Sequence, residues 1–169
     1  MIDVPHGRPL ERPELVGVVE AVAARSELWL PHLDRTATER SYAALHRDAS
    51  VDVWAIFWRP ASDTGWHDHD VSSGAVHVVE GELEEHALRI GAPEHRTAHA
   101  GGSSFSFGPS HIHRLTCAVP EAVSIHAYSP PLWRLGQYSV AADGALQRLS
   151  VSYADELRPL ETAREVVAA

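Results

Sequence analysis

The stretch AVSIHAYSPPL, residues 122–132, alternates apolar and polar side chains before it ends in a double proline. Residues two apart in a β-strand point to the same side, so Ser124, His126 and Tyr128 would share one face. Polar groups inside a protein are costly unless they bond one another or a ligand, whereas on an edge strand they would face solvent. The stretch therefore predicts a strand, and both positions for its polar face stay open.

Similar short strands are predicted on both sides of this stretch, from residue 51 onward. The runs are rich in β-branched and aromatic residues: VDVWAIFW, AVHVVEG, LEEHALRI, SSFSFG and HRLTC. Turns with glycine or proline separate them, and Asp143-Gly144 lies between two alternating runs, as in a β-hairpin. This regular spacing predicts a mainly β fold, an antiparallel sandwich or barrel over residues 51–153.

Two helices are predicted before the first of these strands. Residues 12–29 place apolar residues at helical spacing, with a proline where the first helical turn tolerates one. Residues 36–48 begin with a threonine that is followed three residues later by glutamate, the pattern of a capping box. We therefore expect a helical segment over residues 1–48. The charged tail, residues 154–169, would form a last helix or a frayed end.

Length and composition exclude several functional classes. A chain of 169 residues fits one compact domain over its whole length, 1–169. Acidic residues outnumber basic residues by 23 to 14 and no basic block occurs, so we expect no nucleic-acid partner. No apolar run is long enough to cross a bilayer, and the N-terminus lacks the apolar core of a signal peptide. We therefore expect a soluble, cytoplasmic protein without a membrane partner, a monomer or a weak homo-oligomer.

Histidine is the abundant metal-binding residue, with 12 copies against a single cysteine. In the stretch WHDHD, residues 66–70, His67 and His69 follow a turn and would point to the same face of a strand. In FGPSHIHRL, a second turn leads into a strand that carries His111 and His113. A third imidazole from this strand would complete a facial metal site with open positions. We favour His113 as the ligand and interpret His111 as a solvated turn residue.

The stretches HDH, EGELEE, HIHRL and AVSIHAYSPPL together resemble the cysteine dioxygenase-like thiol dioxygenases of the cupin superfamily. The resemblance covers about residues 40–140, and its last stretch is long and specific. It implies a cupin double-stranded β-helix, a jelly-roll barrel, with the opening helices packed against its outside. It also implies an enzyme: a non-haem iron dioxygenase that uses Fe2+ and O2 to oxidise a small-molecule thiol to its sulfinic acid.

The resemblance assigns roles to individual residues. Carried over position by position, it makes three imidazoles the iron ligands, those of His67, His69 and His113. Ser124 and His126 would belong to a hydrogen-bonded relay that orients Tyr128, whose hydroxyl would point toward substrate and oxygen. Two alternatives stay open: another three-histidine cupin dioxygenase, or a cupin that binds a metal or small ligand without catalysis. The presence of the relay favours catalysis.

Gly74 departs from the family pattern. General cupins often place a glutamate ligand at this position, and animal cysteine dioxygenases place there a cysteine that crosslinks to the relay tyrosine. Gly74 offers neither group, so Tyr128 would be an ordinary phenol. Three neutral imidazoles would leave a ferrous ion its full double charge, which favours an anionic substrate.

The residue that anchors the substrate's carboxylate departs from the pattern as well. The family carries arginine or glutamine where this chain has Ala44, and three other arginines could substitute: Arg40, Arg47 and Arg59. We therefore expect a substrate other than plain cysteine, either a mercapto acid or an ergothioneine-like thiol. Aromatic faces attract quaternary ammonium groups, and the nearby tryptophans are Trp54, Trp58 and Trp66. The predicted substrate contacts are Ala44, Arg47, Trp66 and Gly74.

The acidic run EGELEE, residues 80–85, is predicted to form an exposed strand face without a catalytic role, because charge runs are usually solvated. Imidazoles that bind a metal usually pass their second N–H to a fixed acceptor. Asp68, Asp70 and backbone carbonyls are the predicted acceptors.

Overall fold

The computed structural model describes residues 4–5, 7–88, 93–140 and 145–153 of the chain. Within these residues it contains one α-helix, two short 3-10 helices and eleven strands, so the fold is mainly β, as predicted. The strands form two antiparallel sheets. They are β1 (Ser41–Arg47), β2 (Asp52–Trp58), β3 (Trp66–Asp68), β4 (Ser73–Glu80), β5 (Glu82–Ala87), β6 (His95–Ala100), β7 (Ser104–Phe107), β8 (His113–Thr116), β9 (Ala122–Ser129), β10 (Arg134–Val140) and β11 (Leu146–Ser152).

The first sheet has the strand order β1-β2-β9-β4-β7, and β9 lies at its centre. All residues of β9 are buried, so it is not a solvated edge strand. Its polar residues lie opposite apolar and aromatic residues of β2: Ser124 pairs with Ile56, and His126 with Trp54. The polar face of β9 is therefore inside the protein, and the edge-strand interpretation is wrong.

The second sheet has the order β11-β10-β3-β8-β5-β6, which brings the two histidine-bearing strands side by side. His67 of β3 lies directly opposite His113 of β8. Strands β10 and β11 pair with each other and form the two arms of the predicted hairpin. Its turn, including Asp143-Gly144, and the tail over residues 154–169 lie outside the described residues.

Helix α1, Arg12–Ala23, covers the outer face of the first sheet. Its buried residues pack with apolar side chains of β2, β4 and β9 in one cluster: Leu15, Val18, Val19 and Val22. The helix is shorter than predicted, since the chain turns where the Trp29 indole N–H donates to the Ala23 carbonyl at 3.2 Å. Two 3-10 helices follow, Ser26–Leu28 and Leu30–His32. No helix in the described part of the chain is long and apolar enough to cross a membrane.

Residues 36–48 do not form the predicted second helix. The backbone N–H and the hydroxyl of Thr36 both donate to the Asp34 carboxylate, at 2.9 and 2.6 Å, so Thr36 closes a turn instead of capping a helix. The residues that follow form β1, which pairs with β2 and places Ala44 opposite Trp54. This pairing outweighs the weak helical preference of the segment, and the strands begin at residue 41 instead of 51.

Candidate metal centre

Three buried imidazoles converge between the two sheets, those of His67, His69 and His113. One nitrogen atom of each lies within 4.8 Å of the others. The pairing of β3 with β8 brings the rings of His67 and His113 to a centroid distance of 4.7 Å. The ring of His69 lies 4.9 Å from that of His67, as expected for side chains two residues apart. The structure thus brings together the three residues that were predicted as metal ligands.

Two of these imidazoles have their tautomer set by a neighbouring acceptor. The Gly65 carbonyl lies 3.0 Å from Nδ1 of His67, and the Glu85 carboxylate lies 2.8 Å from Nδ1 of His113. Because carbonyl and carboxylate oxygens only accept, each Nδ1 carries the hydrogen and each Nε2 keeps its lone pair. Nε2 of His113 is buried without a hydrogen-bond partner among the described residues. A metal ion at the centre of the cluster would satisfy it, so these residues fit a metal.

Burial keeps the three imidazoles uncharged. Loss of hydration is the main cause that lowers the pKa of His67 and of His69 well below its usual value. It also lowers the pKa of His113, although hydrogen bonding to Glu85 acts in the opposite direction. Neutral imidazole is the form that binds a metal, so the cluster does not need to lose protons first.

Glu85 borders the imidazole cluster, a position that the sequence analysis did not predict. Its carboxylate is nearly buried and accepts hydrogen bonds from three imidazoles: His113 at 2.8 Å, His111 at 2.9 Å and His99 at 3.3 Å. Burial acts to raise the pKa of Glu85, but these hydrogen bonds outweigh it and the pKa is lowered. The prediction of a solvated strand face is therefore wrong for Glu85, whereas the absence of a catalytic role stays a prediction. His111, predicted to be a solvated turn residue, is half-buried and held by this carboxylate.

Asp68, a predicted acceptor for the ligand imidazoles, instead holds β10 and β11 against β3. Its carboxylate accepts from the guanidinium of Arg148 at 2.8 and 2.9 Å and from the backbone N–H of Gly136 at 3.0 Å. Asp70 also faces Arg148, at 3.5 Å. Of the predicted acceptors, only a backbone carbonyl, that of Gly65, bonds a ligand imidazole among the described residues.

A hydrogen-bonded chain of side chains reaches Tyr128 from the first sheet. The Trp58 indole N–H lies 2.8 Å from Ser124 Oγ, which lies 2.8 Å from His126 Nε2. His126 Nδ1 lies 3.0 Å from the Tyr128 hydroxyl oxygen. Since Trp58 only donates and Ser124 has no other acceptor among the described residues, Ser124 donates to His126, which donates to Tyr128. The Tyr128 hydroxyl hydrogen is then left to donate to a ligand.

The side chains of this hydrogen-bonded series are uncharged. Burial first, then the neighbouring His113 and Arg40, lower the pKa of His126 to about 3. Burial first, then the Asp52 carboxylate, raise the pKa of Tyr128. Tyr128 is therefore a phenol, a hydrogen-bond donor, across the physiological pH range. Its ring stacks on the His69 ring with centroids 5.2 Å apart, so the donor lies beside the imidazole cluster.

Comparison with known families identifies the chain. A model of the family "cysteine dioxygenase type I" matches residues 20–141. The chain belongs to this family. A search of curated proteins found no significant match. With the three-histidine cluster, membership of the cysteine dioxygenase type I family makes the protein a metal-binding cupin of a dioxygenase family.

Solved structures share the fold at low sequence identity. The protein TT1209 from Thermus thermophilus is 14% identical with a TM-score of 0.52, over 60% of this chain and 94% of that one. A double-stranded β-helix protein from Klebsiella pneumoniae is 14% identical with a TM-score of 0.51, over 70% of this chain and 90% of that one. An oxalate oxidase is 16% identical with a TM-score of 0.51, and the match covers 59% of this chain and only 56% of the oxidase. The predicted cupin fold is confirmed.

Gly74 differs from the pattern expected for the cysteine dioxygenase type I family, and Phe107 uses the space that it leaves. A Cβ atom at position 74 would overlap the ring of Phe107 and come within 3.1 Å of the Tyr128 ring. The Phe107 ring stacks on His69 with centroids 4.6 Å apart and lies 4.6 Å from His113. The absence of a side chain at Gly74 therefore leaves room for the Phe107 ring, which packs against the imidazoles of His69 and His113.

A cavity of about 90 Å³ lies between the sheets, bordered by the imidazole cluster. Its lining is mostly apolar and aromatic: Arg40, Tyr42, Trp54, Ile56, Trp58, Thr64, His67, His69, Phe107, His113, Leu115, His126, Tyr128, Leu132, Leu135 and Tyr153. Both sheets contribute to it, so the metal ligands of one sheet face the Tyr128 network of the other. Apolar walls and a few convergent polar groups are typical of small-molecule sites.

The residues predicted to contact substrate are not part of this lining in the described chain. Ala44 is exposed on β1, and Gly74 is covered by Phe107. The Trp66 ring packs against the His86 ring instead, with ring centroids 6.4 Å apart. Arg47 bonds the Asp52 carboxylate at 2.8 Å, next to the pocket. Their assignment as substrate contacts stays a prediction.

Arg40, which lies four residues before Ala44, is the arginine that enters the pocket lining. Its guanidinium carbon lies 5.3 Å from the centre of the Trp58 ring, within the range of a cation–π contact. Arg40 lies directly before β1, which begins at Ser41, and two residues before Tyr42, which also lines the pocket. Tyr42 and Trp54 stand beside it as an edge-to-face pair, 6.0 Å apart.

Proposed function

We propose that this protein is a non-haem iron dioxygenase that oxidises a small-molecule thiol to its sulfinic acid. The observation that carries the proposal is the placement of the Tyr128 hydroxyl, fixed by His126 and Ser124, beside the three-imidazole cluster. Membership of the cysteine dioxygenase type I family supports the same reaction class.

Three neutral imidazoles and no carboxylate would hold the ion, through His67, His69 and His113. A ferrous ion held by these residues would supply the redox chemistry and would lower the pKa of a coordinating thiol, so that the substrate would react as its thiolate. In the overall reaction both oxygen atoms of O2 become bonded to sulfur, which supplies all four electrons. No further reductant or organic cofactor is required.

The chain's own groups would orient the substrate and exclude water. Tyr128 would donate its hydroxyl hydrogen to the bound substrate where negative charge gathers, and its fixed direction means that no reorganisation is needed. Phe107, Leu132 and Leu135 border the same space with apolar surface. A low-polarity wall strengthens the hydrogen bond from Tyr128.

Arg40 supports an acidic substrate. A carboxylate on the substrate could pair with the Arg40 guanidinium. Arg40 would then anchor the substrate in place of the arginine or glutamine that the family carries at the position of Ala44. The aromatic groups Tyr42, Trp54 and Tyr153 border the pocket on the side of β1 and β11, where they suit a bulky or quaternary ammonium group. We therefore propose a mercapto acid or an ergothioneine-like thiol as the substrate, in preference to plain cysteine.

The test is oxygen uptake by ferrous-loaded protein with cysteine, cysteamine, 3-mercaptopropionate, mercaptosuccinate and ergothioneine, and the sulfinate is measured by mass. The expected result is uptake of one O2 per thiol, fastest with a thiol that carries an acid group. Silence across the panel with iron confirmed bound would contradict the thiol reaction and favour a cupin dioxygenase of carbon substrates. Preference for cysteamine, which has no acid group, would contradict only the proposed role of Arg40 and not the thiol reaction.

A further inference from the structure

We propose that Glu85 is a positioning residue for the metal: it holds His113 in the tautomer and the orientation that present Nε2 to the ion. The inference rests on the metal-binding part of the proposed function and is independent of the identity of the substrate. Glu85 does not touch the metal or the substrate itself, and it acts through His113.

The hydrogen-bond geometry defines how Glu85 acts. A carboxylate accepts hydrogen bonds and cannot donate them, so the 2.8 Å contact fixes the hydrogen of His113 on Nδ1. The lone pair is then on Nε2, which is buried and lacks a partner among the described residues. The negative charge of Glu85 also raises the electron density of the imidazole, which strengthens it as a ligand.

Glu85 is itself held in place by the imidazoles on its other side. His99 stacks on Phe105 with centroids 3.9 Å apart, and His111 stacks on Phe107 at 5.7 Å. Both rings direct Nε2 to the Glu85 carboxylate. A carboxylate anchored by two packed rings cannot turn away from His113, so the orientation of the ligand is set by the fold.

A second metal ion bound by Glu85, His111 and His113 is the competing explanation, since their ligand atoms also lie within 4.8 Å of one another. The distances of 2.8 and 2.9 Å between nitrogen and oxygen are those of ordinary hydrogen bonds. A second ion would remove the hydrogen from His113 Nδ1 and leave this ring shared between two cations. The positioning role requires neither change.

Metal titration of Glu85→Gln is the first test, because glutamine keeps the size of the side chain and removes its charge. The probe is Co2+, added without oxygen and followed by its visible absorption. We expect the variant to bind one equivalent with an affinity lower by roughly 10- to 100-fold. Glu82→Gln, an exposed change on the same strand, is the matched control and should leave the affinity unchanged.

The tautomer of His113 gives a second test that needs no metal. Nitrogen-15 chemical shifts of the metal-free protein should show the hydrogen of His113 on Nδ1, and Glu85→Gln should shift this balance toward Nε2. Three results would overturn the proposal: a hydrogen on Nε2 in the unsubstituted protein, unchanged affinity in Glu85→Gln, or a second equivalent of Co2+ that the variant loses. None of these results depends on turnover, so failure of the thiol panel remains a separate outcome.

Discussion

At the scale of single residues, chemistry at this site depends on which hydrogen each group carries. The carbonyl of Gly65 and the carboxylate of Glu85 fix two imidazoles, and the chain from Trp58 fixes the Tyr128 hydroxyl. None of these groups needs to gain or lose a proton. Burial keeps the imidazoles and the Tyr128 hydroxyl neutral, and hydrogen bonds from three imidazoles stabilise the charged carboxylate of Glu85. The site is therefore organised before any ligand arrives.

Tyr128→Phe should lower kcat by about 100-fold with the best thiol, because it removes one fixed donor from a low-polarity site. Stopped-flow or steady-state oxygen uptake measures the change, and Co2+ affinity should stay the same. Ser124→Ala should cause a smaller loss, since it acts on Tyr128 through His126. A kcat equal to that of the unsubstituted protein would mean that the hydroxyl does not contact the reacting groups.

Arg40→Gln should raise the KM of an acidic thiol by roughly 10- to 100-fold, the usual contribution of a hydrogen bond to a charged group. The KM of cysteamine, which has no acid group, should not change. Arg59→Gln is the control, because that guanidinium lies over Phe57 at 5.7 Å and 3.7 Å from Glu121, outside the pocket lining. Equal effects on both thiols would show that Arg40 supports the fold and not the acid group.

Sequence could predict the imidazole cluster but not Glu85. The spacing of His67 and His69 follows from the two-residue period of a strand, and this rule needs no tertiary information. Glu85 lies in a run of carboxylates, which usually is solvated, and its role depends on pairing between β5 and β8. The one usable signal was its position between Leu83 and Ala87, two buried residues on the same face.

At the scale of elements, two features decide the shape of the site. Strand β9 was predictable because its alternation is regular and continues over eight residues. Strand β1 was not, because its local sequence suits a helix and only the pairing with β2 makes it a strand. Without this strand, the sequence could name Arg40 only as one of three candidate arginines, and the structure shows that it is the one in the pocket lining.

Gly74→Ala tests the contact between β4 and β7. The added methyl group would overlap the Phe107 ring, so we expect a loss of about 1–3 kcal/mol in the free energy of unfolding and weaker Co2+ binding. Urea unfolding of the metal-free protein measures the first effect. Gly17→Ala in α1 is the control, since nothing lies within 4 Å of its added atom and alanine should stabilise the helix by about 0.5–1 kcal/mol. Unchanged stability of Gly74→Ala would mean that Phe107 moves aside freely.

At the scale of the whole molecule, a bound metal should stabilise the folded protein. Its three proposed ligands lie on β3, on β8 and directly after β3, all in the second sheet, which faces Tyr128 of the first sheet. An ion that binds only the folded protein should add about 2.7 kcal/mol of stability at a concentration 100 times its Kd. Thermal unfolding with and without Co2+ should therefore show a higher Tm with the metal. His113→Ala should abolish the increase, and an increase that persists would place the ion elsewhere.

Strand β9 presents Ile125 and Ala127 to helix α1 and presents His126 and Tyr128 to the pocket. Backbone amides in such a central, fully covered strand exchange their hydrogens only when the whole sheet opens. Fraying of the chain ends or of an edge strand should therefore leave His126 and Tyr128 in place. Partly opened forms of the protein should keep the hydrogen bond between these two side chains, and should lose it only in the cooperative step in which the first sheet opens.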